Sequence, residues 1–126
     1  MTRETFEKLV STLADVGVRQ VTIATVKPVR GFFPALKKTR PEAYEKMVKL
    51  YADGRWIAGY KYLREEKRRR NFERLRPIVL KHHLDFASCR EGFSQLNTSL
   101  CDGTAYCRSL LNAYFENEHP IEPKKL

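Results

Sequence analysis

Phe6, Leu9, Val10, Leu13 and Val16 fall at helical offsets and make one apolar stripe, which predicts an amphipathic helix over 3–16 with Gly17 as its left-handed stop. The period then changes. Val21, Ile23 and Thr25 alternate with Thr22, Ala24 and Val26, so both faces of a strand over 20–26 are β-branched or small. That is the pattern of a strand covered on both sides in a parallel sheet. Lys27-Pro28 ends it, and Val29-Arg30-Gly31-Phe32-Phe33-Pro34 reads as a loop. Thr39-Arg40-Pro41-Glu42 fits a capping box with Thr39 at the cap. It predicts a helix to about Ala52 that buries Tyr44, Met47, Val48 and Tyr51 and closes at Asp53-Gly54.

The run 55–60 reads as a loop or a short edge strand, and the pattern does not decide between them. A long helix over 61–81 follows, with Tyr62, Leu63, Phe72, Leu75, Val79 and Leu80 near one side. Pro77 lacks a backbone donor and is expected to bend or break it near Arg76. Asp85-Phe86-Ala87-Ser88-Cys89 predicts a second strand, and the turn formers Gly92, Asn97, Thr98, Ser99, Asp102 and Gly103 make a loop after it. A last helix is predicted from Thr104 to about Glu116, with Tyr106, Leu110, Leu111, Tyr114 and Phe115, and 119–126 reads as a tail.

This order of elements implies an α/β fold: a partial (β/α) barrel-like unit with two or three mainly parallel strands and four helices, in one domain over 1–118. So few strands cannot close a barrel, and the sheet edges call for cover by a homodimer or a partner chain. The 126 residues suffice for one modest core, and 42% hydrophobic with 31% charged residues is a soluble, globular composition. There is no apolar run of membrane-spanning length and no signal-peptide core near Arg3, Glu4, Glu7 and Lys8, so a cytoplasmic protein without membrane contact is expected. Three cysteines are an odd number for a disulfide framework, and reduced thiols are expected.

Loops leaving parallel strands commonly gather ligand groups. Here they carry Lys27 and Arg30 after the first strand and Cys89, Arg90 and Glu91 after the second, a candidate ligand pocket. The competing reading makes the cations solvated loop residues and Cys89 a small apolar filler. Cys101 and Cys107 could join Cys89, with His82 or His83, in a metal site. The wide spacing is unlike that of structural zinc sites, and no metal is expected. His82 and His83 sit where a helix C-terminus welcomes a cation. Glu91 and Asp102 are the carboxylates of the site loop, no Gly-rich phosphate loop or Ser/His/Asp order stands out, and no catalytic group is assigned.

The formal charge of +9 is unevenly distributed along the chain. Lys61, Arg64, Lys67, Arg68, Arg69, Arg70, Arg74, Arg76 and Lys81 stand against Glu65, Glu66 and Glu73, so six of the nine net charges lie in 61–81. Such a helix could hold DNA or RNA through its phosphates, with Tyr60, Tyr62 and Phe72 adding stacking. Residues Lys61 to Arg74 of this set are the candidate nucleic-acid contacts. The competing reading is a solvated helix face whose glutamates pair with its arginines.

The stretch DFASCREGFSQLNTSLCDG, 85–103, with its Cys-Arg-Glu-Gly turn and Cys-Asp-Gly, resembles the C-terminal end of radical S-adenosylmethionine proteins of the spore photoproduct lyase-like group. Gly17-Val18-Arg19-Gln20-Val21-Thr22-Ile23 is similar to a late barrel strand of that group. Tyr62-Leu63-Arg64-Glu65-Glu66-Lys67-Arg68 is similar to the opening of its next helix, and the likeness covers roughly residues 3–111. The resemblance implies an association with nucleic-acid repair or modification. It also implies an iron–sulfur cluster and S-adenosylmethionine, held by Cys-x3-Cys-x2-Cys. Here Cys89, Cys101 and Cys107 are separated by eleven and five residues, and that motif is absent. The cofactors would belong to a part missing here, and this chain is expected to bind none and to have no radical activity by itself.

Overall fold

The computed structural model describes residues 2–107. Of the helix predicted from Thr104, residues 104–107 are helical; the remainder, the tail and the domain limit at 118 lie outside the described residues. Helix α1 (Arg3–Asp15) starts at Thr2, whose Oγ1 accepts from the Thr5 amide at 3.2 Å. It stops where Gly17 takes φ +85° and the Val18 amide reaches back to the Leu13 carbonyl. Phe6 and Val10 are its buried residues, while Leu9 and Val16, expected in the same stripe, are exposed.

Strand β1 (Gln20–Ile23) runs parallel to β4 (Asp85–Ser88), with Gln20 opposite Asp85 and Ile23 opposite Ser88. The mixed α/β fold and the parallel neighbours expected from the sequence are present, and no barrel closes among the described residues. β1 is shorter than predicted. Its last rung is the Cys89 amide on the Ile23 carbonyl, and two residues later the Thr25 amide leaves the ladder for the Glu91 carboxylate. Among the described residues the two faces of β1 are covered unequally: Val21 and Ile23 pack on the core, while Thr22 and Ala24 are exposed and Gln20 and Thr22 reach only the carbonyls of Leu100 and Cys101.

The expected loop before Thr39 is a helix, α2 (Phe32–Thr39). Pro34 does not oppose it, because the first-turn amides of a helix need no intrahelical acceptor. Thr39 is therefore not a cap. Its hydroxyl donates to the Ala35 carbonyl inside α2, and Arg40 is the residue that precedes α3 (Pro41–Tyr51). Within α3 Tyr51 is buried, Tyr44 and Met47 are half-buried, and Val48 is exposed.

The undecided run after α3 is a hairpin, β2 (Arg55–Ile57) against β3 (Tyr60–Tyr62), a sheet separate from β1 and β4. Ala58 at φ +47° and Gly59 at φ +84° form its two-residue turn. The hairpin is tied to the loop after β1 by the Lys61 amide on the Pro28 carbonyl at 2.7 Å.

Helix α4 (Glu65–Lys81) begins later than expected and is assigned without interruption through Pro77. Pro77 and Glu73, whose carbonyl the proline leaves without its helical donor, are both exposed, so the lost bond is not buried in the core. Phe72, Ile78 and Val79 of α4 join Phe6, Val10, Leu84, Phe86 and Phe93 in the core. The outer edge of β4 is sealed by side chains. Phe86 exchanges bonds with Thr98, amide to Oγ1 at 2.9 Å and Thr98 amide to Phe86 carbonyl at 2.8 Å, and the Ser88 amide donates to Asn97 Oδ1 at 2.6 Å.

Candidate functional site

The loops leaving β1 and β4 meet at Glu91. Arg90 at φ +57° and Gly92 at φ +81° form the turn around it, and its side chain has 0% exposure. Oε1 accepts from Lys27 Nζ at 2.6 Å, the Thr25 amide at 2.7 Å and Thr25 Oγ1 at 2.9 Å. Oε2 accepts from Arg68 at 3.1 Å, and the same guanidinium group donates to the Glu91 and Leu63 carbonyls. Lys27 and Arg68 both lie over the Tyr62 ring, at 5.4 and 5.7 Å from its centre.

Burial would push the Glu91 carboxyl up, but the hydrogen bonds from Lys27, Thr25 and Arg68 outweigh it and hold the group below the usual carboxylate range. Tyr51, whose hydroxyl donates to the Val26 carbonyl, is pushed up to about 12, by burial first and then by the Glu91 charge. Of the five residues of the predicted pocket, Lys27 and Glu91 therefore come together and satisfy each other. Arg30 and Arg90 are exposed, and Cys89 is half-buried at the end of β4.

Cys101 and Cys107 are exposed. A hydrogen bond with Cys89, and then burial, raise the Cys101 thiol. Among the described residues no three His, Cys, Asp or Glu side chains are gathered so as to hold a metal ion. Among the described residues Cys89, Cys101 and Cys107 thus do not make up the ligand set of a cluster. His82 Nε2 stands 3.8 Å from Glu7 Oε1, at the C-terminal end of α4.

Most cations of 61–81 are engaged within the chain. Lys67 and Arg64 pair with Asp53, Arg64 also with Glu66, Arg69 with Glu65, Lys81 with Glu7, and Arg68 with Glu91. Arg76 donates to the Leu96 carbonyl, and Lys61 lies over Trp56. Arg70 and Arg74 remain exposed and without an ion pair among the described residues.

The segment 30–61 holds another set of cations and aromatic rings. Across 30–61, Arg30, Lys37, Lys38, Arg40, Lys46, Lys49, Arg55 and Lys61 face three carboxylates, Glu42, Glu45 and Asp53. Asp53 is directed at α4, and none of the eight cations is in an ion pair among the described residues. A cleft of about 310 Å³ between α2, α3 and the hairpin is lined by Phe33, Tyr44, Val48, Tyr51, Ala52, Trp56 and Lys61. Lys37 lies 5.5 Å from the Tyr44 ring centre and Lys61 5.6 Å from that of Trp56, which is 46% exposed. Local charge density in the sequence favours α4 and hides this set. The signal that finds it is the interleaving of Phe33, Tyr44 and Trp56 with cations spread over two helices and a hairpin.

No protein-family model, no curated protein and no solved structure matches the chain. No helix among the described residues is long and apolar enough to cross a membrane.

Proposed function

We propose that this chain is a C-terminal-like portion of a radical S-adenosylmethionine, spore photoproduct lyase-like protein, without catalysis of its own, and that its contribution is to hold nucleic acid. The parallel adjacency of β1 and β4, with their exit loops meeting at Glu91, supports the barrel-type kinship. One observation carries the binding role: Lys37 and Lys61, in no ion pair among the described residues, lie against the rings of a cleft built from Phe33, Tyr44 and the exposed Trp56. Rings offer stacking to any base, and cations around them attract the phosphates, which is how single strands are held without sequence preference.

The companion reading, a stand-alone nucleic-acid binder using 61–81, draws support from Arg70 and Arg74, which are exposed and four residues apart on α4. Fluorescence anisotropy with a labelled single-stranded oligonucleotide over a salt series separates the two. Replacing Lys37 and Trp56 together by alanine is expected to weaken binding at least about tenfold and flatten the salt slope. Replacing Arg70 and Arg74 by alanine is expected to change it little. Loss in the second variant alone transfers the role to α4, and no salt-dependent binding by the wild type removes both readings. Stoichiometric iron retained by the purified chain after anaerobic reconstitution contradicts the non-catalytic reading.

A further inference from the structure

The two edges of the parallel sheet are treated differently. β4 is closed by Asn97 and Thr98, as described above. On β1 the Arg19 and Ile23 carbonyls accept from Asp85 and Cys89, so odd-numbered residues face β4 and the amides and carbonyls of Gln20, Thr22 and Ala24 point the other way. Among the described residues no backbone partner meets that outer row. An open edge with no charged residue in its outward row is a template for another strand.

We propose that β1 pairs antiparallel with β1 of a second copy across a two-fold axis at Thr22, joining the two sheets into one of four strands. The sequence is complementary to itself in this register. Thr22 meets Thr22, and Gln20 meets Ala24 of the other copy. On the core-facing side Val21 meets Ile23, and further along the seam Val18 meets Val26. In a chain of net charge +9 this register sets no like charges opposite each other between 18 and 26, because Arg19 faces Thr25. Apolar surface continues past the strand. Val26 is 57% and Leu50 43% exposed, and both line a cleft of about 300 Å³ with Ile23, Ala24, Met47 and Leu75. A second copy is the occupant this seam fits. A partner with a charged edge would set its charge against uncharged residues with nothing to pair it.

Sedimentation equilibrium of the full chain tests the proposal. The wild type is expected at twice the 14.8 kDa chain mass. Thr22→Pro removes the outward amide together with the Thr22 hydroxyl and leaves the backbone bonds to β4, so it is expected to be monomeric and folded. Thr22→Val keeps that amide while losing the hydroxyl bond to the Cys101 carbonyl, and is expected to remain dimeric. Thr22→Lys, which sets two ammonium groups face to face, is expected to weaken the dimer at least about tenfold and serves if the proline variant does not fold. A monomeric wild type overturns the proposal, whether its edge is covered by residues 108–126 or stays open. A dimer indifferent to both Thr22→Pro and Thr22→Lys overturns it as well, since association then lies elsewhere.

Discussion

Glu91 ties the exit of β1, through Thr25 and Lys27, to α4, through Arg68. Removing its charge leaves Lys27 and Arg68, with side chains only 14% and 12% exposed, without their counter-charge. Glu91→Gln is therefore expected to cost about 3 kcal/mol in chemical denaturation. A loss within experimental error would show the cluster to be incidental. The pH dependence follows from the direction of the shift. The folded carboxyl titrates below its ordinary 4.5, so its contribution is complete above that value and is lost as the pH falls through it and below. The stability gap between wild type and Glu91→Gln should accordingly shrink on acidification. A gap that widens would contradict the assignment.

At the scale of the elements, two positions govern the hairpin that carries Trp56. A Cβ on Gly54 would lie 2.1 Å from the Tyr62 carbonyl oxygen, a backbone atom with little freedom to move. Gly54→Ala is expected to lower stability by about 2 kcal/mol or more and to disturb the Trp56 environment, seen as a shift in its emission. Ala58 occupies a left-handed position at φ +47°, which asparagine tolerates better than alanine. Ala58→Asn should raise the thermal midpoint slightly, and an unchanged or lowered midpoint would count against the turn described. The Ala-Gly dipeptide explains why this hairpin was not legible in the sequence, since it lacks the asparagine or aspartate that marks such turns. Proline misled in both directions. Pro34 made a helical segment look like a loop, and Pro77 suggested a break where α4 continues. What was legible was the parallel pair, because a β-branched run at 20 and a short apolar-leaning run at 85, with helices between them, point to a strand–helix–strand unit.

For the whole molecule, net charge is less informative than where charge is left unpaired. The sequence locates six of nine net positive charges in 61–81, yet folding directs most of those cations to carboxylates and carbonyls of the same chain. Pairing partners far apart in sequence, such as Lys81 with Glu7 or Arg68 with Glu91, cannot be read from spacing. The convergence of Lys27 with Glu91 was anticipated from the strand order. That they neutralise each other, and that Lys37 and Lys61 flank the aromatic cleft of 30–61, depends on contacts between residues far apart in sequence.

Trp56 is the sole tryptophan of the chain, so its emission reports on that cleft alone. Titration of the full chain with unlabelled single-stranded oligonucleotide, followed by tryptophan fluorescence at low and then raised salt, shows whether bases stack in the cleft. Stacking of a base on the indole predicts saturable quenching that salt reverses. Oligonucleotide binding that leaves the Trp56 emission unchanged would contradict the account.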